Sequence, residues 1–370
     1  MLPDSECRCG ILRHLCGKTS GLGDLPSESV GLAVLVSHGG SGLGFGAWDA
    51  NSRSHRGPQG ASIVNTGEDD LQFLSSSLQG TSRTFALAIP LLGPELQYQV
   101  GIAYLLFRVA DSIEDAACVD AARRHLLLQR LRDCLAPDCQ QSSTLQAAMA
   151  EGFGGLWPAG SATEHLMVAA SRLLRLFHQL PPAASACIRS SLDRTIVGML
   201  GFLSSGAARG AEIRVETVAE LKLYCYFVAG IVGEMLTELF LLQGPVSSDQ
   251  LGRLRELAVG FGEFLQLVNI LKDSEGDVHL GRCFIPAGVS RETVISLAET
   301  SGHAAREYIQ TLAVLGVSAD VLAFCRFISR LAEGSLVALQ QHGAGAKLTR
   351  NDVFRILESV IGGPLVTPKE

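Results

Sequence analysis

Two sets of polar residues in this sequence recur at helical spacing and end in carboxylates. Tyr104, Arg108, Asp111 and Asp115 follow one another at steps of four, three and four residues, which places all four on one face of a helix. Gln266, Asn269, Asp273 and Asp277 repeat the arrangement at steps of three, four and four. The residues around each set are apolar: Ile102, Leu105, Leu106, Phe107, Val109 and Ile113 around the first, Phe264, Leu265, Leu267, Val268, Ile270 and Leu271 around the second. A solvated face would carry mixed charge instead. One D-x-x-x-D pair is common on helix surfaces and then does nothing but face water. Two of them, each closing a polar line on an apolar helix, need an answer in the interior. An unpaired buried polar group costs about 1–3 kcal/mol, and a bare charge costs more. Magnesium prefers hard oxygen ligands and usually takes one or two carboxylates together with phosphate oxygens. Two such lines facing each other would form a cage for a metal-bound diphosphate.

The elements that must position these lines are helices. From Glu68 onward the pattern is helical, with breaks at Pro90 to Pro94, Pro137 to Ser143, Pro181-Pro182, Gly206 to Gly210, Gly244 to Ser248 and Gly281 to Gly288. No repeat, strand alternation or internal linker interrupts it, so residues 68–363 are expected to form one all-α domain, followed by a short tail over 364–370. The composition, 47% hydrophobic and 18% charged with few aromatics, agrees with a globular helical chain. Residues 1–67 differ: they hold 13 of the 40 glycines and lack helical periodicity, which predicts a flexible Gly/Ser-rich extension. Within them Gly42 to Ala47 matches G-x-G-x-x-A, but a dinucleotide fold needs a helix next. Trp48 to Pro58 cannot supply an amphipathic one, so the match is set aside.

Several function classes are excluded. The net charge is -7 with no Lys/Arg block, so nucleic acid is not an expected partner. The ten cysteines are scattered singly, mostly in helix-like segments, which fits a reducing, cytoplasmic setting. Cys7, Cys9, His14 and Cys16 match no structural zinc spacing. The most apolar stretch, Tyr224 to Leu242, still carries Glu234 and Glu238, the first residues lack a secretory pattern, and the last are polar. No transmembrane anchor is expected, and any membrane contact, for release of a greasy product, should be peripheral.

Four blocks in order now resemble the squalene/phytoene synthase family of head-to-head prenyl transferases. They are Ser82-Arg83-Thr84-Phe85, Asp111-Ser-Ile-Glu114-Asp115, Tyr224 to Gly233, and Asn269 to Asp277 leading to Gly281-Arg282, within about residues 75–345. Two departures stand out: Lys272 occupies a position that is usually Arg, and Gly276 one that is usually acidic. The first keeps the charge but loses the bidentate fork. A scaffold that had kept the helices and lost the chemistry would have lost the Asp-rich motifs, and this chain keeps both.

The resemblance implies a single helical domain of the isoprenoid synthase type around a central cavity, acting on prenyl diphosphates. One diphosphate ionises, its allylic cation is captured by the double bond of a second, and proton loss gives a cyclopropylcarbinyl diphosphate. A second ionisation rearranges it to a linear hydrocarbon, with hydride from NADPH in squalene synthases and proton loss in phytoene synthases. On this resemblance Asp111, Glu114, Asp115, Asp273 and Asp277 would hold Mg²⁺. Ser82, Arg83, Phe85, Tyr104, Arg108, Gln266, Asn269, Lys272 and Arg282 would bind substrate, and Tyr224 would lie near the proton lost in the cyclopropane step. Aromatic faces such as Phe85, Tyr104, Phe107 and Phe227 could stabilise cations. The D-x-x-E-D form of the first motif and Phe264-Leu-Gln266 are squalene-like, which favours farnesyl diphosphate and squalene. Phytoene-type condensation of geranylgeranyl diphosphate is the alternative.

Overall fold

The computed structural model describes residues 67–116, 119–137, 139, 155–242 and 248–362. The extension predicted over residues 1–67, apart from Gly67, and the predicted tail lie outside the described residues, as does the side chain of Arg83. Within them the helices start where short polar residues or prolines start them. α1 spans Glu68–Thr81, with Glu68, Asp69 and Asp70 on the positive end of its dipole. Ser82 then caps α2, Arg83–Ala88, its hydroxyl accepting from the Phe85 N–H at 3.1 Å. Pro94 opens α3, Pro94–Glu114, at a position where its missing N–H costs nothing. Asp120 caps α4, Ala121–Cys134, and the chain continues through α5, Ala162–Val168, α6, Ala170–His178, and α7, Pro182–Ala208. α7 ends at Ala208, inside the break expected over Gly206 to Gly210.

Thr217 caps α8, Val218–Cys225, which passes through one π-helical turn, Tyr226–Gly230, into α9, Ile231–Leu241. α10, Ser248–His279, is the longest element at 32 residues. α11, Arg291–Val314, α12, Ala319–His342, and α13, Arg350–Ile361, complete the fold. Among the described residues, the one departure from helix and turn is a pair of two-residue strands, β1, Ile213–Arg214, and β2, Arg282–Cys283. They pair in parallel, Ile213 opposite Arg282. Two residues without alternation leave no strand signal in the sequence.

α3 is the central helix: every residue from Tyr98 to Glu114 is buried. α10 packs against α9, the π turn, α11 and α12. Its approach to the α8–α9 rod is set by glycines on both sides. A Cβ on Gly233 would collide with the Ala258 carbonyl oxygen, and one on Gly262 with that of Ala229. The helical stretch Val218–Leu241 is the one described segment long and apolar enough to cross a membrane, and most of it is buried inside the fold. A small apolar cleft of about 20 Å³ lies between α2, α3, α9 and α12, lined by Phe85, Tyr104, Phe107, Met235, Leu236 and Phe324 among others.

Candidate active site

The first carboxylate line sits at the C-terminal end of α3, inside the protein. Asp111 is 2% exposed and Glu114 1%, while the Asp115 side chain keeps 19% of its surface. The second line is carried by α10, where Gln266, Asn269 and Asp277 are buried and Asp273 is 24% exposed. Arg282, on β2, joins the two lines: it is ion-paired with Asp115, and its Nε lies 3.9 Å from Asp277 Oδ1. Asp115, Arg282 and Asp277 therefore share one place, although 167 residues separate the first two. Lys272 pairs with Asp273 at 3.2 Å.

Electrostatics follow from this enclosure. Burial pushes the Glu114 carboxyl up to about 8, with the charge of Asp115 adding to the rise and Arg282 and Arg124 opposing it. Burial likewise takes Asp115 to about 7, against the pull of Arg282, and Asp277 to about 6, again against Arg282. Asp111 is raised well above the carboxylate range by burial, although Arg108 lowers it. Tyr224 is pushed above the usual phenol range by burial and by the charges of Glu114, Asp115 and Asp111.

Both carboxylate oxygens of Glu114, and one each of Asp111 and Asp277, are buried without a hydrogen-bond partner. Buried carboxylates in that condition are what a divalent cation would satisfy, and an all-oxygen set is the kind magnesium takes. Among the described residues no three or more His, Cys, Asp or Glu side chains converge as a cage of their own. The carboxylates instead line two walls. That arrangement fits a metal that completes its coordination with phosphate oxygens and water.

The remaining predicted residues divide into two groups. Phe85 and Tyr104 stack at 5.0 Å and line the apolar cleft, as does Phe107. Tyr224 is fully buried near the carboxylates, its hydroxyl without a hydrogen-bond partner. Gln266 and Asn269 each keep a buried, unpartnered oxygen. Ser82 spends its hydroxyl as an acceptor on the α2 cap. Phe227 is not among the residues lining the cleft; it packs against Gly198 of α7, which corrects its expected place among the cation-facing aromatics.

Sequence reasoning missed the rings that hold Tyr224. Phe284 lies tilted over it at 4.7 Å and Phe202 meets it edge-on at 5.1 Å. It also missed Arg124, which is buried beside Glu114, and Arg291, whose Nη1 donates to the carbonyl of Leu271, two residues before Asp273, at 3.0 Å. None belongs to a motif; only the folded contacts bring them in.

Two carboxylate walls, a shared arginine and an adjoining apolar cleft within one helical domain define an all-α fold of the isoprenoid-synthase type. The chain belongs to the squalene/phytoene synthase family, whose sequence model matches residues 78–313. It is 31% identical over 206 residues to squalene synthase ERG9 of Candida albicans, covering 56% of this chain and 43% of that protein. To the squalene synthase of Cyberlindnera jadinii it is 29% identical over 206 residues, again with 56% and 43% covered. The match thus spans less than half the length of these relatives. In fold it is similar to TcSQS in complex with the ligand E5700, with a TM-score of 0.60 at 23% identity over 78% of this chain and 85% of that one.

Proposed function

We propose that the chain joins two farnesyl diphosphates head to head, through presqualene diphosphate, to squalene, with loss of diphosphate. The observation that supports this best is the meeting of Asp115 and Asp277 on Arg282, beside an apolar cleft lined by aromatic rings. Asp111, Glu114, Asp115, Asp273 and Asp277 are the residues that would hold magnesium, which when bound supplies charge neutralisation at a departing diphosphate. Arg282 and Arg108 stand where negative charge develops and act in a dry interior, where fixed charges count for most. Lys272 adds a cation on the α10 wall. The cleft keeps water from the carbocations, and the faces of Phe85, Tyr104 and Phe107 can each contribute roughly 0.5–2 kcal/mol without acting as nucleophiles. Tyr224, held between Phe202 and Phe284, presents its hydroxyl beside the carboxylates for the proton lost in the cyclopropane step. NADPH enters as the expected hydride donor by resemblance alone, and no residue is assigned to it. We further propose a cytoplasmic setting with peripheral membrane contact for product release; six free cysteines among the described residues support a reducing setting.

The test is to incubate the purified chain with magnesium and farnesyl or geranylgeranyl diphosphate, with and without NADPH, and to identify the products by mass spectrometry. The expected results are squalene from farnesyl diphosphate with NADPH, and accumulated cyclopropyl diphosphate without it. A hydrocarbon from geranylgeranyl diphosphate alone, formed without nicotinamide, would replace the proposed substrate. No condensation product from either would sink the reading.

A further inference from the structure

Arg124 of α4 lies beside the first carboxylate wall without belonging to any motif, and it is 5% exposed. Its Nη1 donates to the main-chain oxygen of Glu114 at 2.9 Å, and its Nη2 to the Glu212 carboxylate. The Glu114 carbonyl is one of those a helix leaves unsatisfied at its C-terminus, where a cation also meets the negative end of the dipole. Arg124 thus closes the end of α3 at the residue between Asp111 and Asp115 whose two carboxylate oxygens have no hydrogen-bond partner.

Glu212, on the other side of that bridge, leads directly to Arg282. Its N–H donates to the Gly281 carbonyl at 3.1 Å, and the next residue, Ile213, pairs with Arg282 in the β1–β2 ladder. Gly281 holds φ +75 with its Cα against the Glu212 side chain, so that a Cβ there would lie 3.4 Å from Glu212 Cγ. The end of the first carboxylate wall is therefore tied to Arg282 twice. One tie is the side-chain pair between Asp115 and Arg282; the other runs from the Glu114 carbonyl through Arg124 and Glu212 to the main chain that carries Arg282. A partly buried ion pair is poor evidence of stabilisation, because desolvation can cancel its Coulombic gain.

We propose that Arg124 and Glu212 are positioning residues of the metal and diphosphate site, fixing the separation between the Glu114–Asp115 carboxylates and Arg282. This rests on the reading above that these carboxylates hold magnesium with a diphosphate. Neither residue touches the reacting groups; both act through main chain. The class of ligand that would feel them is a magnesium diphosphate, which has to span the distance they set.

The test uses the full chain, with magnesium and inorganic diphosphate as the probe, followed by titration calorimetry. Glu212→Gln keeps the shape of a side chain that is 35% exposed, and circular dichroism checks that the helices persist. Magnesium affinity in the presence of diphosphate should fall about 10- to 100-fold, the scale on which outer-shell partners act. Arg124→Lys should fall similarly, because an ammonium cannot reproduce the planar fork that serves both acceptors. The double variant should be no weaker than the weaker single one, since both break the same tie. Arg132→Gln, on the same helix, removes the exposed pair with Asp193 at 2.6 Å and should leave binding unchanged. Affinity within about twofold of the original in Glu212→Gln would overturn the proposal, and so would unfolding of that variant, which would assign the pair to stability. If the unaltered chain itself fails to bind magnesium with diphosphate, the reading of the carboxylates fails first and takes this inference with it.

Discussion

The carboxylates of α3 and those of α10 repeat one spacing, yet the fold encloses them differently. On α3, Asp111 and Glu114 are sealed in the interior, with buried oxygens that no hydrogen bond satisfies. On α10, Asp273 is partly exposed and already has Lys272 beside it, and only Asp277 faces the interior. The α3 wall thus carries charge that the protein alone compensates poorly, whereas the α10 wall is half solvated and partly neutralised. A cation binding between them would relieve the first wall most and would be reached from the second. The two walls should therefore respond differently to the same change.

The largest expected effect is catalytic. Asp111→Asn, Asp115→Asn, Asp273→Asn and Asp277→Asn should each lower turnover on the order of 10³-fold, since a metal contributes several kcal/mol of charge stabilisation. The walls then separate in stability. Without metal and at alkaline pH, Asp111→Asn should melt at a higher temperature than the original chain, because it removes a carboxyl that is costly to ionise in the interior, while Asp273→Asn should melt close to it. Equal melting shifts for the two would break the comparison.

Tyr224→Phe should come next. The ring packing between Phe202 and Phe284 is retained, so folding and diphosphate binding should persist. Turnover should fall roughly 10²-fold, the lower end for a lost proton-transfer group, since burial pushes the phenol up and keeps it protonated, so that it seldom stands ready as the base for this proton. Unchanged turnover would hand the cyclopropane proton to released diphosphate instead.

A smaller effect concerns pH. Carboxyls raised by burial stabilise the fold only while protonated: their contribution is complete below the unfolded value of about 4 and is lost as pH rises through the folded ones. Those are about 6 for Asp277, about 7 for Asp115 and about 8 for Glu114. In EDTA the melting temperature should fall between pH 5 and about 8.5, most steeply below pH 6, where all three carboxyls stay protonated in the folded chain and ionise on unfolding; the shallower part above pH 6.5 belongs to the α3 wall. Magnesium with diphosphate should flatten the slope, and Glu114→Gln should remove its upper part. A melting temperature that rises over this range would contradict the enclosure described for α3.

The smallest effect sharpens the α10 side. Gly276 is exposed in the last turn of α10, and a Cβ there meets open space. Gly276→Asp should leave stability nearly unchanged, because the backbone-entropy gain of a few tenths of a kcal/mol is offset by a negative charge at the negative end of the helix dipole. It should also tighten magnesium binding a few-fold by adding an acid to the more solvated wall. Weaker binding would show that this wall tolerates no further negative charge.

Both carboxylate lines were legible because their partners along each helix lie three or four residues apart, a spacing that sequence displays directly. The helix starts at Pro94 and Pro182 were legible from the proline breaks that precede them. Arg282 could be named only through the family resemblance, since nothing local links it to Asp115. Arg124 and Glu212 were not legible at all: they are 88 residues apart and meet only because α4 and the β1–β2 ladder close on the end of α3. Phe202 and Phe284 reach Tyr224 from α7 and from the strand exit in the same way. The misplacement of Phe227 came from its nearness in sequence to Tyr224; the π turn begins between them and carries Phe227 onto α7.

The glycine contacts between α10 and the α8–α9 rod have a consequence for how this site can drift over evolution. Because main chain meets main chain at Gly233 and Gly262, the rotational setting of α10 is indexed by carbonyls that no substitution replaces. Side chains elsewhere on the helix can then vary without turning the carboxylate line, as a shaft keyed in its hub tolerates wear on its rim. Lys272 and Gly276 are two such variations. The same keying makes the seam intolerant: a single methyl at Gly262 would shift Gln266, Asn269, Asp273 and Asp277 together, as one rigid comb, away from Arg282.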